Sequence, residues 1–111
     1  MSPEPLARIE VGEHHGLPLL RVLGEVDMTN AATIGEQLRA NTGDASTLTV
    51  DLTDLEFMDS QGLHMLHLLA VDLAGNDTAL VVIAPVPGIA GNLLTLVGMN
   101  KTLDIRPNLS D

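Results

Sequence analysis

The sequence predicts an α/β fold: a mostly parallel sheet of about 4–5 strands with an N-terminal hairpin and about 3 helices. Three observations predict it. Segments with strand-like alternation and segments with helical spacing follow one another after an opening pair of strands. Clusters of Gly, Pro, Asn and Asp separate them at regular intervals. The run ALVVIA at 79–84 is apolar throughout, as a strand covered on both faces must be.

The elements follow in order. Residues 6–12 read as a first strand and 17–24 as a second, with His14, His15 and Gly16 in the turn between them. Asp27, Thr29 and Asn30 are each suited to cap a helix over 30–41, in which Ala31, Ile34 and Leu38 recur at helical spacing. Gly43 and Asp44 end it. Leu48, Val50 and Leu52 alternate with Thr49, Asp51 and Thr53, which is a third strand. The tetrapeptide Leu55-Glu56-Phe57-Met58 leads into a turn at Asp59. A second helix fits 60–74 and stops at Gly75. After the strand at 79–84 come a third helix over 87–97, closed by Gly98, and a short last strand at Leu103 and Ile105. Right-handed crossovers then join the parallel strands. Loops at their carboxyl ends are where function is expected, and both Asp27 and Asp59 fall there.

With 111 residues the chain is read as one domain, 1–111. Hydrophobic residues make up 45% of it, so it buries a core rather than staying disordered. Phe57 is the only aromatic residue, so that core is aliphatic. There is no cysteine, which removes disulfides, thiolate metal sites and cysteine nucleophiles and suits a cytoplasmic protein. The N-terminus lacks the basic and apolar regions of a signal peptide. The apolar run from Ala79 is broken by Pro85 and Pro87, well short of the roughly 20 residues that span a bilayer.

Formal net charge is −10. No Lys or Arg occurs between Arg39 and Lys101, a stretch that carries Asp44, Asp51, Asp54, Glu56, Asp59, Asp72 and Asp77. Such a surface repels nucleic acid and anionic membranes and steers toward a basic partner. Acidity of this kind also serves solubility alone, and composition leaves both readings open.

Two motifs carry more. Gly24-Glu25-Val26-Asp27 follows the second strand, and the third runs into Asp51-Leu52-Thr53-Asp54-Leu55-Glu56-Phe57-Met58-Asp59-Ser60-Gln61-Gly62-Leu63. Here the chain resembles the STAS-domain anti-sigma factor antagonists, over residues 17–106. Gln61 stands where members usually carry a small hydroxyl residue. The resemblance implies a partner-switching regulator of transcription. Such a protein binds an anti-sigma factor serine kinase, which then releases its sigma factor. The kinase phosphorylates the serine after the motif's aspartate, here Ser60, and binding ends; a serine phosphatase restores it. No cofactor is expected, because nothing in the sequence resembles a phosphate cradle.

The residues themselves allow plainer readings. Ser60 alone reads as a helix-capping serine, and Asp59 and Asp27 as turn or cap residues. With the resemblance, Ser60 is the switch. The partner surface is then Glu25, Asp27, Thr29, Asp59, Gln61 and Gly62, together with His64, Met65 and Leu68 on the second helix. On that helix Leu63, Leu66, Ala70, Leu73 and Ala74 form the core stripe, and Met65, Leu68 and Val71 fall outside it, so the helix is either deeply buried or shows an apolar patch to a partner, which the resemblance favours. A phosphate on Ser60 would gain from the helix N-terminus yet sit beside Asp59.

Competing classes are weaker. A Ser60-His64-Asp59 hydrolase fails because all three lie on one helix start, whereas triads draw on separate elements. No phosphate loop, dinucleotide fingerprint or zinc-protease motif is present, so the chain is read as no enzyme. His64 and His67 are spaced to share a metal but have no third ligand, so no metal is expected. A non-phosphorylated STAS scaffold in a stress-signalling or transport complex is the alternative of the same fold. A monomer is expected, because no second large apolar surface is visible in the sequence.

Overall fold

His15 and Gly16 both have positive φ, 54° and 78°, the backbone that a two-residue hairpin turn needs to follow the twist of its strands. This turn joins β1 (Ala7–His14) to β2 (Leu17–Val26), antiparallel from Ala7 opposite Gly24 to His14 opposite Leu17. His14 thus closes the first strand rather than entering the turn. The computed structural model describes residues 5–109. After the hairpin come α1 (Ala31–Ala40), β3 (Thr47–Asp51), β4 (Leu55–Met58), α2 (Ser60–Ala74), β5 (Ala79–Ile83), α3 (Ile89–Leu96), a single 3-10 turn (Met99–Lys101) and β6 (Asp104–Arg106).

The sheet runs in the order β1-β2-β3-β5-β6, every pair but the first parallel. Each crossover advances the chain in the same direction across the sheet. With right-handed crossovers all three helices therefore cover one face. Onto that face point Leu20 and Val22 of β2, Leu48 and Val50 of β3, and Leu80 and Val82 of β5. Ile34, Leu38, Leu66, Leu69 and Leu94 meet them from the helices. β5 is buried on both faces from Leu80 to Ile83, as its unbroken apolar run requires.

One strand goes beyond the sequence reading. Leu55 to Met58 is not a lead-in but β4, which takes over beside β2 where β3 has left it. From Gly24 to Glu25 on β2 the partner strand advances two residues, Leu55 to Phe57. Glu56 is thus the extra residue of a β-bulge, and the bulge breaks the alternation of sides. Leu55 and Met58 both turn inward while Phe57 faces solvent. Two apolar residues three apart do not read as a strand, which is why the pattern concealed it. Gly24, at φ 97°, sits where the β1–β2 pairing ends; a Cβ there would lie 2.2 Å from the Leu6 carbonyl oxygen.

The inner face of α2 also differs from the expected stripe. Leu66 and Leu73 are buried, but Ala74 is exposed and Leu63 and Ala70 are only partly covered. Met65, expected outside the core, is buried. The cause is α1. Gly35 lets the two helices approach so closely that a Cβ there would be 2.9 Å from Met65 Cγ. Among the described residues no helix is long and apolar enough to cross a membrane.

Candidate functional site

The loops after β2 and β4 lie side by side at the carboxyl end of the sheet, because those two strands are parallel neighbours. In the first loop the Asp27 carboxylate accepts the backbone N–H of Thr29 at 2.8 Å and also the Thr29 hydroxyl. The Thr29 hydroxyl, then its N–H, hold the Asp27 carboxyl below its ordinary value of 3.8. Asn30 accepts the Asp27 N–H and donates its amide to the Glu25 carbonyl, each at 2.9 Å. Asn30 occupies the N-cap position of α1 but makes no side-chain cap bond, because its side chain turns back into the loop. None of Asp27, Thr29 and Asn30 therefore caps the helix through its side chain, contrary to the sequence reading; they knit the loop instead.

The second loop is held by Asp59. Its backbone is extended, and its N–H donates to the Val26 carbonyl at 3.2 Å. Oδ1 accepts the N–H groups of Gln61 and Gly62 at 2.9 and 3.3 Å, which caps α2. Oδ2 accepts the N–H of Met28 at 3.2 Å, across to the neighbouring loop. Asp59 is thus the cap, and Ser60 is the first residue inside the helix. That corrects the reading of Ser60 as a capping serine. Its side chain is exposed, and among the described residues its hydroxyl makes no hydrogen bond.

Gly62 places this turn on the sheet. A Cβ at Gly62 would stand 2.4 Å from Met58 Cγ and 3.3 Å from Val26 Cγ1. Only a hydrogen fits, so the first turn of α2 rests directly on β2 and β4. Gly62 and Met65 are consequently inside the protein, and only Gln61, His64 and Leu68 of the α2 group reach the surface. Those three border a shallow groove of about 160 Å³ between α1 and α2, floored by Met65, Ala31 and Gly35. At the far end of the groove Arg39 Nε approaches Asp72 Oδ2 to 2.8 Å. The guanidinium N–H is not aligned for a directed hydrogen bond, so the contact is an ion pair between the helices.

Two surface residues were not singled out from the sequence. Met28, 78% exposed, stands on the connection from β2 to α1, and Phe57, 46% exposed, stands on β4 just before the Asp59 turn. They bring exposed apolar side chains to the end of the molecule that carries Glu25, Asp27, Glu56 and Asp59. That Phe57 is the sole aromatic was a usable signal; its outward direction depended on the bulge. Glu25 and Thr29 are exposed. His64 and His67 are exposed too, and among the described residues no three His, Asp or Glu side chains gather as metal ligands would.

The chain is thus an α/β domain with a mostly parallel sheet and an exposed serine on the first turn of the helix that follows its bulged strand. The chain belongs to the STAS domain family, whose pattern it matches over residues 8–111. It is 29% identical over 112 residues to the anti-sigma-F factor antagonist RsfB of Mycobacterium tuberculosis, covering all of this chain and 90% of that protein. Its structure superposes with a TM-score of 0.79 on an anti-sigma factor antagonist from Mycobacterium paratuberculosis, 30% identical, covering 93% of this chain and 87% of the other. The antagonist SpoIIAA in its unphosphorylated form shares the fold at a TM-score of 0.66 and 16% identity, over 92% and 90% of the two chains.

Proposed function

We propose that this protein is a cytoplasmic anti-sigma factor antagonist that binds an anti-sigma factor serine kinase and is switched off by phosphorylation of Ser60. The observation that carries the reading is the state of Ser60: an exposed hydroxyl, engaged by no hydrogen bond among the described residues, on a rigid helix start. A kinase can take that hydroxyl without unfolding anything. Its oxygen attacks the γ-phosphorus of ATP, ADP leaves, and the proton passes to the kinase's base.

The geometry favours repulsion as the way the phosphate acts. Asp59 already occupies the N–H groups of Gln61 and Gly62, so little of the helix N-terminus is left for a phosphate. The phosphate adds about −1.5 to −2 charges on the residue following Asp59. An acidic docking face, made of Glu25, Asp27, Thr29, Asp59, Gln61, His64 and Leu68 with Met28 and Phe57 as apolar anchors, would then lose its match to the kinase. A serine phosphatase would reverse the change. The chain itself catalyses nothing in this reading, takes no cofactor, and has neither nucleic acid nor membrane as partner.

The test is intact mass after incubation with ATP and each candidate anti-sigma kinase, with Ser60→Ala as control. One added phosphate that disappears in Ser60→Ala is expected. Binding without phosphate transfer by any kinase would replace this reading with that of an unswitched STAS scaffold.

A further inference from the structure

α3 stands apart from the rest of this acidic surface. Residues 84–100, APVPGIAGNLLTLVGMN, contain no Asp, Glu, Lys, Arg or His, in a chain of net charge −10. The inner face of the helix, Ala90, Gly91 and Leu94, is buried. Its exposed side is uncharged and largely apolar: Ile89 is 52% exposed, Leu96 82% and Val97 50%, with Leu93 half-buried between them and Asn92 and Thr95 along one flank. At 3.6 residues per turn these four apolar side chains fall in one stripe about 100° wide. An amphipathic surface helix puts charge on that side; this one does not.

Charge decides what can cover it. A basic partner is drawn to the acidic surfaces, which lie elsewhere. A second copy of a molecule with ten net negative charges is repelled wherever those surfaces meet. It can approach closely only through a face that carries no charge. We propose that α3 packs against α3 of a second copy, as a two-fold antiparallel pair in which Leu93 lies near the axis and Ile89 meets Leu96 of the other copy. The stripe is self-complementary in this sense, as an isologous contact requires. The sequence showed no second apolar surface and so argued for a monomer; the structure supplies the surface.

The contact is small. Eight residues span about 12 Å of helix, so each copy buries less than the roughly 800 Å² of a standard interface. A weak, concentration-dependent dimer follows. Because screening relieves repulsion between two like-charged molecules, added salt should strengthen it.

Sedimentation equilibrium from about 5 to 500 µM, a range that brackets a micromolar dissociation constant, tests the proposal at low and at high salt. The expected result is a rise toward twice the monomer mass, greater at high salt. Leu96→Glu should stay monomeric, while Val11→Glu, which alters an exposed apolar residue on β1, should dimerise like the wild type. Both positions are more than half exposed, so thermal melts of the two variants should match the wild type. A wild type that remains monomeric throughout, or a Leu96→Glu protein that dimerises as the wild type does, would overturn the proposal. So would equal loss of dimer in both variants.

Discussion

Asp59 and Met28 are 31 residues apart in sequence, and one carboxylate oxygen joins them: Asp59 Oδ2 accepts the Met28 N–H while Oδ1 caps α2. The two loops that flank Ser60 are therefore a single unit. Asp59→Ala removes the cap and the tie together and should cost about 1–2 kcal/mol in urea unfolding. Asp59→Asn separates the two roles. Its carbonyl can still cap Gln61 and Gly62, but its NH₂ then faces the Met28 N–H, donor against donor. Amide exchange should show Met28 losing protection in Asp59→Asn while the α2 amides keep theirs. Equal protection of Met28 in both proteins would show that the tie contributes nothing.

Ser60 should be nearly silent in folding. Its hydroxyl makes no hydrogen bond among the described residues, so Ser60→Ala should change stability by less than about 0.5 kcal/mol, like other exposed substitutions. Ser60→Asp gains from the helix N-terminus and loses to Asp59, and its circular dichroism should overlay that of the wild type. Kinase binding, measured by calorimetry, should survive in Ser60→Ala and fail in Ser60→Asp. A cooperative melt far below the wild type for Ser60→Asp would mean that charge at this position acts on the fold instead.

Phe57 tests the reach of the docking face. It is about half exposed on β4, outside the groups that the sequence pointed to. If the partner covers the bulged strand, Phe57→Ala should weaken kinase binding about tenfold or more, as truncation of an aromatic anchor does. The same change should cost less than about 1 kcal/mol of stability, because the side chain is not part of the core. Unchanged affinity would confine the partner to the α1–α2 side.

Most of the architecture was legible because it follows from periodicity. Leu48 and Val50 alternate with polar residues, ALVVI is apolar without a break, and Gly98 at φ 79° ends α3 where the sequence placed its stop. What escaped depends on contacts between distant segments. β4 was hidden because the bulge at Glu56 spaces Leu55 and Met58 by three. Met65 looked spare because its cover comes from Gly35 on another helix. Asp59 and Ser60 were both read as cap residues, since both residue types suit that place and only the backbone at Asp59 decides. The outward stripe of α3 could not be told from a core stripe, because apolar spacing alone does not say which side is covered.

Gly62→Ala sets two effects against each other. Alanine is the better helix former by about 1 kcal/mol. Its methyl, however, would press on Met58 Cγ at 2.4 Å and Sδ at 2.8 Å, and overpacking of this kind costs about 1–3 kcal/mol. A net loss near 1 kcal/mol is expected. Met58→Ala empties the space that the new methyl needs, so Gly62→Ala should be less harmful, or stabilising, in that background. Strictly additive effects in the double-mutant cycle would show that the two residues do not compete for the same volume.

The loop at Asp27 makes a prediction about pH whose sign is fixed. The Thr29 hydroxyl and N–H hold the folded-state value below the ordinary 3.8. A depressed carboxyl stabilises the fold fully above the unfolded-state value, and that contribution is lost as pH falls through the folded-state value. The loop should therefore keep its form down to about pH 4, the ordinary carboxyl range, and loosen only below it. Carbon-13 titration of the Asp27 carboxyl should give a midpoint below 3.8. Thr29→Val keeps the N–H and removes the hydroxyl, the larger cause, so the midpoint should move up toward 3.8 without reaching it. A midpoint that does not move would mean that the hydroxyl bond is absent in solution, and that the loop is set by Asn30 and the Asp59–Met28 tie alone.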